Sequence, residues 1–421
     1  MKTETAKMTE RIVLGALLLL LLVAPTGIAV GLRTSLATLL MLIGIYQISR
    51  GCCAVPQLLI PLSAWVGIAL VSALWSWDPQ GTLRSATYDA LLPVGAMLAA
   101  WHLARHNNGT VLWMGVLTGA LLIAIAGVGV IALTGIAGLY EPTLRKGWLA
   151  AYPGVGVATT IAVLVLPFCL AGLLQKIRSI RLMSTVSLCA IVVIGLVSQN
   201  RAIWPALALT GGIQALLVLR RYPEAKNYQR KLLLGTLFCV VILFVGWYFT
   251  LSSRTPDQSG LDGTVVTVTH DVRWAAWKIW AEKGMEHPLL GFGYGKRLIP
   301  VHIEPAYREQ LAAIGEDLTG HAHNLLLNVW LQMGFLGLAV LLALFIAIAR
   351  HLLTSEDKES QAPRFNATIG VGVLIGLLAK NMTDDFFGQA LALYFWLLMG
   401  IALGLHEAES RRGPTCSPKY P

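Results

Sequence analysis

Charge is scarce in this sequence. Acidic and basic residues together make up 13% of the 421 positions, where a soluble domain carries about a quarter. That deficit, with 56% hydrophobic residues and a mean hydropathy of +0.67, excludes a water-soluble globular fold for most of the chain. Alternation is missing too. The apolar runs are continuous, not alternating as the strands of a membrane barrel must be, so a β-barrel is excluded. Cysteine is sparse where it would matter for secretion: none of the six falls in the long polar stretch after residue 251, so no disulfide framework is expected. Cys169, Cys189 and Cys239 lie inside apolar runs, Cys52 and Cys53 follow Arg50, and Cys416 sits in the tail. No Cys/His spacing suits zinc and no HExxH pattern occurs, so no metal site is expected. GFGYGK (291–296) looks superficially like a phosphate loop. It lacks the full spacing and the preceding strand of a βαβ unit, and reads as a glycine-permitted turn.

What is abundant is apolar runs of about 20 residues, the length that crosses a bilayer as a helix. About twelve such spans are expected, at 12–31, 34–49, 57–75, 85–104, 110–138, 153–174, 182–198, 201–219, 232–251, 335–353, 366–384 and 388–406. The fold class is therefore all-α, a polytopic integral membrane protein. The organisation expected is spans one to nine in 1–251, a long outer loop in 252–334, spans ten to twelve in 335–407, and a tail in 408–421. The first run follows Lys2, Lys7 and Arg11 without a small-residue cleavage site, and reads as a retained helix, not a signal peptide. More than half of the 32 Lys and Arg fall on one side if the N-terminus is cytoplasmic, which puts both termini inside and the long loop outside.

The cations that run against this bias carry information. Arg84, Arg145 with Lys146, and Arg201 (in SQNRAIW) stand in short outer connections, and Arg273 leads DVRWAAWKIWAEKG in the long loop. Snorkelling toward headgroups accounts for any one of them. Gathered on one side with a histidine, they point to an anion site. Within the loop, Arg273, Trp277 and Trp280 share one helical face, as suits a helix lying along the membrane interface. The polar start of the loop, SSRTPDQSGLDGT, reads as mobile.

HAHNLLLNVWLQMGFLG (321–337) then places two imidazoles and two amides at the lip of a span. If 321–323 is helical, the two rings diverge, and metal ligation is disfavoured. His323 opens the helical stretch with Asn324 and Asn328 stacked alongside, and a histidine at a cavity mouth suits proton abstraction near neutral pH.

This stretch resembles the signature of the O-antigen ligase and polymerase superfamily: His323 and Asn324, nine residues, then Gly334 and Gly337. LRKGWLAAYPGVGVA (144–158), SQNRAIW (198–204) and RWAAWKIWAEKGMEHPLLGFGYG (273–295) resemble further family segments in the family's order, so the likeness spans nearly the whole chain. One departure is Asn200, where the family often has serine before the span-eight arginine. The resemblance implies a GT-C-like, lipid-donor glycosyltransferase of a bacterial inner membrane with its active site facing the periplasm. The donor would be a glycan on undecaprenyl diphosphate and the acceptor a sugar hydroxyl of lipid A-core oligosaccharide. Membrane lipids would be the other partners, with no nucleic acid and no cofactor. On this reading His323 is the general base, Arg145, Arg201 and Arg273 cradle the diphosphate, and Lys146 and Arg84 stand behind them. Asn324, Gly334 and Gly337 support the motif. Chemistry would be inverting and metal-independent. The signature does not separate ligation from O-antigen polymerisation or protein O-glycosylation, and a lipid-linked sugar flippase or anion transporter is the alternative from another class.

Overall fold

The computed structural model describes residues 2–26, 28–50, 56–106, 109–198, 200–221, 272–354, 365–385 and 387–411. The expected ninth span (232–251), the polar start of the long loop, and Cys52, Cys53, Cys239 and Cys416 lie outside the described residues. Among the described residues every regular element is helical. Short single turns aside, the helices in order are α1 (Lys2–Val23), α2 (Val30–Ser49), α3 (Pro56–Val71), α4 (Pro79–Ala86), α5 (Leu92–Arg105), α6 (Gly109–Thr134), α7 (Val155–Leu173), α8 (Arg178–Ser198) and α9 (Ile203–Arg221). Then follow α10 (Val272–Gly284), α11 (Pro305–Ile314), α12 (Leu325–Thr354), α13 (Asn366–Asn381) and α14 (Gln389–Arg411). Eight described helices are long and apolar enough to cross a membrane, and α13 is a shorter apolar one. Every expected span except the ninth falls on a described helix. The chain is an all-α, multi-pass membrane protein.

Burial decides which helices form the centre. The window Gln389–Glu409 of α14 is 89% buried and α7 is 83% buried, whereas α2 is only 22% buried. Lipid tails are as apolar as leucine, so helices associate here by close van der Waals packing, and small residues permit the approach. A Cβ on Gly400 or Gly404 of α14 would stand 2.3 and 2.4 Å from the carbonyl oxygens of Met97 and Trp101 in α5. Those two helices therefore pack backbone to backbone.

The register of α7 against α13 places the site. A Cβ on Gly376 would touch Val163, and one on Gly372 would touch Pro167. The helices run antiparallel, so the N-terminus of α7 and the C-terminus of α13 share one end of the bundle. At that end α10, α11 and the 292–303 turn gather a small apolar core of their own around Trp280, Phe292, Leu311 and Leu318.

Candidate active site

The start of α12 is built by amides. Asn324 caps it, its Oδ1 accepting the Leu327 N–H at 3.1 Å, which satisfies one of the donors a helix leaves orphaned at its N-terminus. His323 precedes the cap with φ at 50°, in the left-handed region. Such a value in a non-glycine residue is sparsely populated and clusters at functional sites. It also corrects the expectation for the two imidazoles. Neither lies in the helix, and the left-handed turn folds them together instead of splaying them, with ring centroids 3.8 Å apart. Ala322 between them is fixed on both sides: its carbonyl accepts from Trp277 Nε1 at 2.7 Å and its N–H donates to Asn328 Oδ1 at 3.2 Å. The tryptophan helix α10 thus holds the histidine turn directly.

The turn is closed by a segment that sequence reasoning passed over, NMTDDFF after α13. Asn324 Nδ2 donates to the Met382 carbonyl at 3.0 Å, and Asn328 Nδ2 to Asp385 Oδ2 at 2.6 Å. His323 Nδ1 lies 3.3 Å from Asp384 Oδ1, and Lys380 Nζ donates to the other oxygen, Oδ2, at 3.0 Å. Lys296 Nζ, from the glycine-rich turn, stands 3.8 Å from Asp385 Oδ2. Half-buried Arg273 at the head of α10 is within electrostatic reach of Asp384, Lys380 and His321.

The charges order themselves. Burial alone would raise the Asp384 carboxyl, but the hydrogen bond from His323 and the Lys380 ammonium hold it well below the usual carboxylate range. Asp385 is pushed up by burial, which outweighs Lys296 and its hydrogen bonds. Lys296 is lowered, again by burial first. His321 is lowered to about 2, chiefly by burial and then by the cations Lys296 and Arg273 and the neighbouring His323 ring. Its Nε2 is buried without a hydrogen-bond partner. Of the two imidazoles, His321 is therefore a neutral packing residue, and His323 is the one tied to an ionised carboxylate. When Nδ1–H of His323 donates to Asp384, Nε2 is left as the acceptor.

The arginines fall into groups. Arg273 joins the histidine cluster. Arg145 and Arg201 form a second group at the same end of the bundle. Tyr140 OH donates to the Ser198 carbonyl at 2.5 Å, bringing their two turns together, and Asn200 Nδ2 donates to Thr159 Oγ1 of α7 at 3.3 Å. Antiparallel packing sets Thr159 near the level of Lys380. Arg145 is oriented by its own loop, Nη1 donating to the Tyr152 carbonyl at 2.6 Å with the guanidinium 5.7 Å over the Tyr152 ring. Asn200, the departure from the family's serine, caps its turn by accepting the Ala202 N–H. Lys146 is exposed on the same loop. Arg84 belongs to neither group; it lines a separate pocket with Arg33 and Arg297.

The signature glycines have a local cause. Gly334 breaks α12 with φ 64° and ψ −168°, a conformation open essentially to glycine alone. The break frees backbone groups that the 288–293 turn takes up. Phe335 N–H donates to the Pro288 carbonyl at 2.8 Å, while the N–H groups of Phe292 and Gly293 donate to the carbonyls of Leu331 and Gln332. Gln332 Oε1 accepts the Gly295 N–H, which delivers Lys296 to Asp385. Two stretches that resembled the family separately are thus one interlocked unit.

Asp384 and Asp385 were not singled out in the sequence, and neither Lys380 nor Lys296 was assigned to the site from it. The available signal was a pair of acids directly after a span, where short outer connections otherwise carry little charge.

Comparison with known proteins matches residues 186–342 to the family described as O-Antigen ligase. The match includes Arg201, Arg273 and the whole His323–Gly337 signature, and stops short of Asp384. No curated protein matches the chain. Across residues 186–342 this membrane protein is similar to the O-antigen ligase family.

Proposed function

We propose that the protein is an O-antigen ligase, transferring glycan from undecaprenyl diphosphate to a sugar hydroxyl of lipid A-core oligosaccharide at the periplasmic face of the inner membrane. The observation that carries the mechanism is the chain Lys380–Asp384–His323. An ionised aspartate at Nδ1 orients the imidazole and stabilises it once protonated, so Nε2 takes the proton of the attacking hydroxyl. Arg273, Arg145 and Arg201 supply guanidiniums for the diphosphate, whose leaving oxygens gain charge toward the transition state. Lys146, exposed beside Arg145, adds positive charge at the mouth.

Two carboxylates near the base raise the question of a covalent intermediate. Both are engaged: Asp384 accepts from His323 and Lys380, and Asp385 accepts from Asn328 and the Phe387 N–H. This favours the hydroxyl as the nucleophile in one displacement, with inversion at the anomeric carbon.

The test is reconstitution. Purified protein given lipid-linked glycan and rough lipopolysaccharide should produce a ladder of capped lipopolysaccharide, and His323→Ala should abolish it. Lengthening of the lipid-linked glycan without transfer to lipopolysaccharide would make the protein a polymerase. A parental rate in His323→Ala would end the assignment of the base.

A further inference from the structure

A pocket of about 450 Å³ opens beside the histidine cluster, between α2, α4 and the start of α14. Its charged lining is Arg33 from α2, Arg84 from α4, Arg297 from the glycine-rich turn, and a single acid, Asp89. Among the described residues none of the three guanidiniums forms an ion pair with a carboxylate. Asp89 has one oxygen occupied by the Gln389 N–H at 2.5 Å. Three cations against one acid leave the pocket net positive. It is also half apolar: Ala37, Leu92 and Leu393 are buried in its wall, and Val30 at its rim is 55% exposed.

The local backbone is unusual in the same place. Between α4 and α5 the helix widens to a π turn over Thr87–Leu91, which carries Tyr88 and Asp89 into the pocket lining. Turns of this kind inside α-helices occur frequently at functional sites.

The pocket and the histidine cluster share two walls. The glycine-rich turn gives Lys296 to Asp385 and its next residue, Arg297, to the pocket. The 382–389 segment gives Asp384 and Asp385 to the cluster and Gln389 to the pocket. Asp89 lies within electrostatic reach of Lys296, Arg297 and Asp385. A molecule seated here is therefore held next to His323 without occupying it.

We propose that this pocket is a second lipid-phosphate site, which seats a phosphate head of the acceptor glycolipid while the donor diphosphate is held by Arg145, Arg201 and Arg273. The assignment of the two sites rests on the ligase reading. Guanidiniums bind phosphate oxygens by charge-assisted, bidentate hydrogen bonds. Exposed Val30, where the span-length helix α2 begins at the rim, suits the hydrocarbon chain that such a phosphate carries. The volume suits one phosphorylated head, not a long glycan. Anchoring the acceptor by its phosphate would leave its oligosaccharide to reach over the shared wall toward His323.

The experiment measures binding of four probes to purified protein in lipid nanodiscs: lipid A bearing both phosphates, lipid A stripped of both, a polyprenyl diphosphate, and phosphatidylglycerol. The variants are Arg84→Gln, Arg297→Gln and the conservative Arg297→Lys. Bisphosphorylated lipid A should bind at least about tenfold more tightly than the stripped form, the scale of one charged hydrogen bond. Each Gln variant should erase most of that difference while polyprenyl diphosphate affinity stays parental, and Arg297→Lys should retain part of it. Parental diphosphate affinity also certifies that the variants are folded. Equal binding of the two lipid A forms overturns the proposal. So does loss of polyprenyl diphosphate binding in the Gln variants, which moves the donor into this pocket, and so does equal competition by phosphatidylglycerol, which makes it a site for ordinary membrane lipid. If phosphate-dependent binding is found but the parental protein transfers no glycan, the pocket stands and the ligase reading fails.

Discussion

The catalytic assignment turns on which part of the histidine turn is chemistry and which is scaffold, and substitutions separate them. His323→Ala removes the proposed base and should slow transfer by about 10²–10⁴-fold. Asp384→Asn keeps the shape of its partner but loses the charge that orients and stabilises the imidazole, so a loss in the same range is expected. Neither change touches the diphosphate, so donor affinity should remain near parental in both. Arg273→Ala should lower donor affinity and rate together, and Arg273→Lys should stay impaired because it lacks the planar fork. Measuring lipid-linked donor affinity beside transfer rate makes the distinction, since rates alone overlap. If His323→Ala loses donor binding as completely as Arg273→Ala, His323 is a phosphate ligand. His321 should behave differently. Folded, it accepts a proton only at about pH 2, whereas in the unfolded chain it does so near 6.5. The unfolded state therefore binds more protons below pH 6.5. Stability, fully present above that value, should fall with acidification by up to about 1.4 kcal/mol per pH unit. The melting temperature of detergent-solubilised protein should drop between pH 7.5 and 5.5, and His321→Phe should flatten that drop. An unchanged slope in the variant would remove His321 as its source.

At the scale of elements, the break in α12 should be as demanding as its geometry. Gly334→Ala puts a Cβ 2.1 Å from the Leu289 backbone at a positive φ. Strain of about 1–3 kcal/mol comes with the dihedrals alone, and backbone cannot yield as a side-chain end can. Gly337→Ala also meets a close atom, Met333 Cβ at 2.2 Å, but without a positive φ and with no backbone of the 288–293 turn among its nearest atoms, so its loss of melting temperature should be the smaller of the two. Equal losses would mean that the interlock with the 288–293 turn is not what Gly334 provides. This contrast also marks what the sequence made legible. The spans were readable because about 20 apolar residues have few uses besides crossing a bilayer. The His323–Gly337 spacing was readable through its resemblance to the superfamily signature, and the amide cap at Asn324 and the break at Gly334 give it a physical cause that the sequence did not show. Lys380, Asp384 and Asp385 were not readable, because their meaning depends on α13 ending beside a turn that precedes it by about 60 positions in sequence. Likewise Arg84 read as one more cation of the diphosphate group. Only the placement of α2 and the glycine-rich turn assigns it to a different pocket. The divergent imidazoles expected from helical geometry failed for a local reason, since the helix begins two residues after His323.

For the whole molecule the decisive question is which side of the membrane the site faces. Chemistry on a lipid-linked glycan and a lipopolysaccharide acceptor requires the His323 end to be periplasmic. The basic residues argue for that orientation, because Lys176, Arg178 and Arg181 cluster where α7 leaves the opposite end of the bundle. α7 spans Val155–Leu173, and at 1.5 Å per residue its 19 residues cover about 28 Å, close to the roughly 30 Å of a hydrocarbon core. Residues flanking it must then sit on opposite faces. Thr143 and Lys176 are both exposed. In a background without native cysteines, Thr143→Cys should react with an impermeant maleimide in intact spheroplasts, and Lys176→Cys only after the membrane is permeabilised. The antiparallel register of α7 and α13 ties Thr143's end to His323, so this one pair of labels orients the whole site. Labelling of Lys176→Cys alone in intact cells would put His323 in the cytoplasm, out of reach of a periplasmic acceptor. The ligase reading would then fail whatever the kinetics of the variants.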